Sequence, residues 1–166
     1  MTSTQVPVTQ AEYVALAQFR YGLRRFLRFS EAAARAHGLT PQQHQLLLAI
    51  KGFPGRQWAT VNELAERLQL QQHSVVGIVD RSEHASLVFR VSHAEDLRVT
   101  EVHLTPDGER ILESLTVTHR EELKRTGEFI QTFLRLQSAI EDNDLAPVKE
   151  GGENHIVVEP WEFAGL

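Results

Sequence analysis

The apolar residues at the start of the chain recur every three or four positions, which is the spacing of an amphipathic helix. The pattern covers Glu12 to about Ala36 and stops before Gly38. Thr40 and Pro41 then provide a cap and a proline for a first helical turn. The sequence therefore predicts a long first helix and a second helix that begins near residue 41.

A capping box opens the next predicted helix. The side chain of Thr60 can accept a hydrogen bond from the amide of Glu63, and the Glu63 carboxylate can reach back to the amide of Thr60. We therefore predict a third helix over about 60–68 and, after a short turn, a fourth over about 71–85. The positions where these two helices should pack on each other are small or apolar: Leu64, Ala65, Leu68, Leu70, Val75 and Ile78.

Two runs rich in β-branched residues follow, at 87–91 and 99–104, with a polar segment between them. This pattern predicts an antiparallel hairpin. Thr105 and Pro106 come directly after the hairpin and are suited to cap another helix. We expect Gly127 to interrupt that helix before a last one ends near residue 140, and we interpret 141–166 as a linker and C-terminal tail.

The composition fits one globular domain, because 166 residues with 42% hydrophobic and 23% charged residues can bury a substantial core. The sequence contains neither a secretion signal pattern nor a long apolar run, so we expect a cytoplasmic protein that makes no membrane contact. The absence of cysteine excludes disulfides and thiol chemistry. We expect no cofactor and no enzymatic activity, because the chain has neither a nucleophile paired with a base nor a glycine-rich phosphate loop.

Eight histidines raise the question of a metal site. Their spacing contains no compact ligand motif, so solvated or core histidines are the favoured interpretation and no metal is expected. A site that combines His44 with an acidic residue of the first helix is kept as an alternative.

Three segments together resemble the MarR (multiple-antibiotic-resistance regulator) family. They are LTPQQHQLLLAI, VNELAERLQLQQHSVVGIVDR and AEDLRVTEVHLTPDGERIL. They are similar to the second helix of that family, its helix-turn-helix, and its wing leading into a dimerisation helix. The resemblance implies a mainly α fold with a small β-hairpin wing (α+β), a winged helix-turn-helix with long N- and C-terminal dimerisation helices. The MarR-like domain would cover 1–140, with dimerisation helices over about 11–37 and 106–140 and the winged helix-turn-helix over about 41–105.

The resemblance also implies a set of DNA-binding residues. In the family the wing acid and arginine fasten the hairpin and set the arginine against the minor groove, a role that falls here on Asp96 and Arg98. A narrow minor groove attracts arginine through its negative potential. The full set comprises Gln71, Gln72, His73, Ser74 and Val76 of the recognition helix and Arg90, His93, Asp96 and Arg98 of the wing.

The chain departs from the family at the recognition helix. Val76 and Gly77 stand where threonine and arginine are common, and Gln69 replaces the usual glycine of the turn. Fewer donors then remain for base edges, although glutamine can pair with adenine and Val76 can touch a thymine methyl.

Family members place an effector pocket between the dimer helices and the DNA-binding lobe. Phe26, His44 and Trp58 are the candidate pocket residues, although core packing explains Phe26 equally well. An arginine stripe on the first helix, at Arg20, Arg24 and Arg28, could bind an anionic effector. The favoured interpretation of that stripe is a solvated face paired with Glu12 and Glu31.

The expected function is therefore a homodimeric regulator of transcription. It would be a repressor that binds a pseudo-palindromic site in double-stranded DNA and is released by a small aromatic or anionic effector. The acidic balance weighs against DNA, since the chain has a net charge of −5 and 56–110 holds six basic against nine acidic residues. A winged helix used only for protein interaction is the alternative.

Overall fold

A computed structural model describes residues 8–94 and 99–141, with side-chain detail as far as Arg125 except at Ala11. Asp96, Arg98 and the tail 142–166 lie outside the described residues. The expected mainly helical fold with a small sheet is confirmed. In chain order the elements are α1 (Gln10–Ala36), α2 (Pro41–Lys51), β1 (Trp58–Thr60), α3 (Val61–Leu68), α4 (Gln72–His84), β2 (Val88–Ser92), β3 (Thr100–Leu104) and α5 (Pro106–Glu141).

Helices α1, α2 and α3 all begin with a reciprocal capping box. The residue before each helix is a threonine whose side chain accepts from the third helical amide, and the third residue returns the bond to the threonine amide. The predicted starts at Thr40 and Thr60 are therefore confirmed. The box at Thr9 and Glu12 starts α1 slightly earlier than the apolar pattern indicates.

The sheet has three strands in the order β1-β3-β2, all antiparallel. Ala59 of β1 lies opposite Val102 of β3, and both are fully buried against the helices. Trp58, His103 and Phe89 form the neighbouring row on the outer face. The hairpin was predicted, but β1 was not, because three residues are too short for a periodic pattern.

The core of the lobe contains the predicted contact between α3 and α4. Leu64, Val75 and Ile78 are buried, as expected, but Leu70 is 37% exposed. Gln69 takes a left-handed conformation with φ 54°. The turn at Gln69 directs the Leu70 amide to the carbonyl of Ala65 and leaves the Leu70 side chain at the surface. The prediction that Leu70 is buried is therefore wrong.

Helix α5 is continuous from Pro106 to Glu141, so the predicted break at Gly127 is also wrong. A single helical glycine costs only about 1 kcal/mol, which a long amphipathic helix can absorb. Helices α1 and α5 are antiparallel, because His119 bonds Ser30 while His37 bonds Ser114. Among the helices of the described segments, none is long and apolar enough to cross a membrane.

Candidate nucleic-acid interface

Helix α4 presents one apolar and one polar face. Val75, Ile78 and Val79 are buried in the lobe. On the other side, Gln71, Gln72 and His73 are exposed, Ser74 is half-buried and Val76 is 38% exposed. The five recognition-helix residues chosen from the sequence therefore lie together at the start of α4. Exposed polar side chains at the N-terminal end of such a helix have the placement that base recognition requires.

An open groove of about 360 Å³ lies beside this face, between α2 and α4. Arg81, which is not among the residues expected from the sequence, is exposed and lines the groove together with His73. The remaining lining residues are Gln42, Leu70, Ser74, Gly77 and Ile78. Helical spacing could have identified Arg81, because it follows Gly77 by four residues and so shares its face.

Gly77 and Arg81 are in close contact. A Cβ atom at position 77 would lie 3.3 Å from the Nη1 atom of Arg81. The guanidinium can therefore lie against the backbone of α4 at the place where most residues would present a side chain. Because Gly77 has no side chain, the guanidinium of Arg81 in the next turn can lie against the helix backbone there.

Arg90 connects the wing to α4. Its guanidinium is 2.6 Å from Asp80 Oδ1 and also bonds Glu83, and its backbone amide donates to Glu83 at 3.2 Å. Burial opposes the charge of Arg90, but the bonds to Asp80 and Glu83 outweigh burial and raise its pKa. Arg90, which was predicted to contact DNA, therefore already forms ion pairs with two carboxylates.

His93 lies on the outer face of the sheet and is half-buried there. Its ring is 5.6 Å from the ring of Trp58, and its Nε2 atom is 3.7 Å from Glu101. Glu101 also bonds His103 at 2.6 Å, and His103 stacks on Phe89. The structure thus places His93 in a cluster of rings around one carboxylate. The contacts of Asp96 and Arg98 lie outside the described residues.

The three candidate pocket residues occupy two separate clusters. Phe26 and His44 both contact the ring of His119, with centroids 6.0 and 4.8 Å away. Trp58 instead contacts the rings of the hairpin and is covered by Arg56. Burial lowers the pKa of His44 to about 4, and the neighbouring His119 and His37 add to the shift. Across 8–94 and 99–141, no group of three His, Asp or Glu residues is arranged to hold a metal.

The order of elements, the exposed α4 and the paired strands define a winged helix-turn-helix protein, with α3 and α4 as the helix-turn-helix and β2 and β3 as the wing. Residues 37–98 match the model of the MarR family.

Two relatives from Bacillus subtilis (strain 168) carry regulator names. The uncharacterized HTH-type transcriptional regulator YsmB is 32% identical over 99 residues, which cover 56% of this chain and 66% of YsmB, slightly under two thirds. The HTH-type transcriptional repressor MdtR is 28% identical over 116 residues, which cover 70% of this chain and 73% of MdtR.

The same fold occurs in the crystal structure of AbsC, a MarR family transcriptional regulator from Streptomyces coelicolor. The TM-score is 0.66 at 19% identity, over 84% of this chain and 96% of AbsC.

Proposed function

We propose that this protein regulates transcription by binding duplex DNA as a homodimer, with α4 in the major groove. The observation that carries the proposal is the exposed polar face at the start of α4, on a helix whose opposite face is buried. Gln71 and Gln72 have the amide chemistry to pair with adenine, and Val76 can contact a thymine methyl. Two α4 helices related by a dimer axis would read half-sites about 10 base pairs apart.

Residues 71–76 at the start of α4 contain no Lys or Arg, and Arg81 supplies positive charge on this face. Its guanidinium lines the groove with His73 and Ser74 and has the fork geometry that suits phosphate oxygens or a guanine edge. Gly77 favours this role, because it leaves room for the arginine against the helix. We therefore assign to Arg81 a DNA contact in each half-site.

The net charge of the chain does not oppose this assignment. The tail 142–166 holds six of the 22 acidic residues and one of the 17 basic residues, so it carries the whole net charge of −5. The chain that precedes it is formally neutral. The net charge of the whole chain therefore comes from a segment outside the winged helix-turn-helix, whereas 56–110 keeps three net negative charges.

The wing would contribute through Arg98, with Asp96 fastening the hairpin. Arg90, which is paired with Asp80 and Glu83, would position the wing on α4 rather than neutralise phosphate. Arg98→Ala should then weaken binding to all duplexes and lower the salt slope by about one, whereas Arg90→Ala should act mainly through stability.

The dimer would form through α1 and α5. Leu16, Leu23 and Leu27 fall on one side of α1 and are 57, 44 and 45% exposed, and Val117 and Leu123 of α5 are also exposed. Such a row of exposed apolar side chains favours a second copy as its cover. Light scattering at micromolar concentration tests this step, and Leu16→Lys with Leu27→Lys should give a folded monomer.

The proposal also includes repression of transcription and release of the protein from DNA by an effector. MdtR is named a repressor, which favours repression for this chain also. A small aromatic or anionic effector would bind near Phe26 and His44, between the dimer helices and the lobe, and lower DNA affinity. Such a regulator would act in the cytoplasm, where its DNA lies.

Gel shifts with the DNA upstream of the protein's own gene, followed by sequencing of genomic fragments that the protein retains, test the function. Retention of fragments that share a pseudo-palindrome supports it. A folded dimer that retains no duplex at low salt would instead favour a winged helix that binds only other proteins.

A further inference from the structure

A ladder of three arginines lies along the solvent side of α1. Arg20, Arg24 and Arg28 are exposed and spaced four residues apart, so they follow one another along one helix face. Helical spacing places this face opposite the buried Ala15 and Ala33. We call these three residues the arginine ladder.

The expected partners of the arginine ladder are occupied elsewhere. Glu12 accepts from the amide of Thr9 at 2.6 Å in the capping box, and Glu31 bonds Arg35 at 3.2 Å. Among the side chains that the structure describes, no carboxylate forms an ion pair with the ladder. Like charges one helical turn apart repel one another, so the ladder favours an external anion.

The tail of the same chain has the matching composition. Besides holding the excess of negative charge, it intersperses the acidic residues Glu153, Glu159 and Glu162 with the apolar residues Ile156, Val157, Val158, Trp161 and Phe163. Carboxylates suit guanidinium groups, and the indole of a tryptophan can stack on an arginine. The exposed rings of Tyr13 and Tyr21 on α1 offer apolar surface beside the ladder.

The antiparallel pairing of α1 and α5 brings the tail to the ladder. From the contact between Ser30 and His119, α5 continues for about 33 Å to Glu141, while α1 extends back about 30 Å to Gln10. The tail therefore begins near the start of α1, and Arg20 lies only about 15 Å along that helix from Gln10. The segment from Glu141 to Glu153 reaches up to about 40 Å when extended, which is sufficient.

We propose that the acidic tail 142–166 docks on the arginine ladder of α1, with its carboxylates on the guanidinium groups and Trp161 against the helix. Docking neutralises a positive surface that lies away from the recognition helix. The contact is independent of DNA binding and so can be tested without DNA.

Trp161 reports the contact directly. In the full chain with Trp58→Phe, Trp161 is the only tryptophan. Its emission should lie to the blue of that of a synthetic peptide of residues 150–166, because docking shields the indole from water. Reversal of the ladder with Arg20→Glu, Arg24→Glu and Arg28→Glu should move the emission to that of the free peptide. Adding Glu159→Lys and Glu162→Lys to the reversed ladder should restore the blue shift.

The matched control reverses three arginines of α5, with Arg110→Glu, Arg120→Glu and Arg125→Glu. These changes alter the net charge equally and should leave Trp161 emission unchanged, and helical circular dichroism verifies the fold of every variant. If Trp161 in the full chain with Trp58→Phe emitted at the same wavelength as the free peptide, the proposal would be overturned. Blue-shifted emission that survives reversal of the ladder would also overturn it, because the tail would then dock elsewhere.

Discussion

Gly108 in the first turn of α5 faces the backbone carbonyl of Leu87 at the start of the hairpin. A Cβ atom at position 108 would lie 2.1 Å from that oxygen. Thr105 donates its amide to the same carbonyl at 3.0 Å, and its side chain accepts from the Gly108 amide at 3.0 Å. The segment Leu104 to Gly108 thus joins the wing to the long helix by backbone contact.

Gly108→Ala should destabilise the protein by about 1–3 kcal/mol, because the added methyl group can be accommodated only by separating α5 from the hairpin. Urea unfolding of parent and variant measures the change. A variant as stable as the parent would mean that the two backbones are not in contact.

Gly77→Ala should change stability in the opposite direction. Alanine is preferred over glycine inside a helix by about 1 kcal/mol, and the flexible end of Arg81 has to move by only a few tenths of an ångström. The same methyl group displaces the guanidinium from the backbone, so DNA affinity should fall although stability rises. Urea unfolding and a DNA titration separate the two effects. Equal DNA affinity of the parent and the variant would mean that Gly77 does not contribute to DNA binding by Arg81.

Gln69→Gly should also stabilise the protein, by about 1 kcal/mol. Gln69 adopts a left-handed conformation, which glycine accepts without steric cost. Glu66→Gly, in the regular part of α3, is the matched control and should cost about 1 kcal/mol. If the midpoints of thermal unfolding of both variants shifted in the same direction from that of the parent, the left-handed conformation of Gln69 would not explain the effect.

Stability should fall in mild acid because of His44. The folded-state pKa of about 4 lies below the reference value of 6.5, so the unfolded chain binds the proton more tightly. The contribution is fully present above pH 6.5 and is lost as the pH falls towards 4, at up to about 1.4 kcal/mol per pH unit. Urea unfolding between pH 7 and 4.5 measures the slope, and His44→Gln should flatten it. An equal slope in that variant would assign the effect to other groups.

The sequence predicted the helix starts well because capping and proline act locally. Thr40 and Thr60 each determine their own helix start through bonds that span three residues. The cluster of Trp58, Phe89, His93 and His103 around Glu101 was not predictable in the same way. His93 approaches Trp58 only because β1 joins β3, and the pairing of a three-residue strand depends on tertiary packing. The ion pairs of Arg90 likewise depend on how the hairpin lies on α4.

The candidate site was likewise predicted only in part. The start of α4 was located from the sequence, because it follows from the helix pattern and the family resemblance. Arg81 was missed because the recognition-helix residues chosen from the sequence end at Val76, although its spacing of four residues from Gly77 could have identified it; its contact with the Gly77 backbone is visible only in the structure.

The salt dependence of DNA binding by the Arg81→Ala variant tests whether α4 and Arg81 lie on DNA. Dissociation constants for the retained genomic site and for a scrambled duplex should be measured at several salt concentrations, for the parent, for Arg81→Ala and for the distant control Arg125→Ala. If α4 lies on DNA as proposed, Arg81→Ala should weaken binding and lower the salt slope by about one for each phosphate that Arg81 neutralises, while Arg125→Ala should match the parent. Identical affinities and slopes for all three folded proteins would contradict the placement of α4 and Arg81 on DNA.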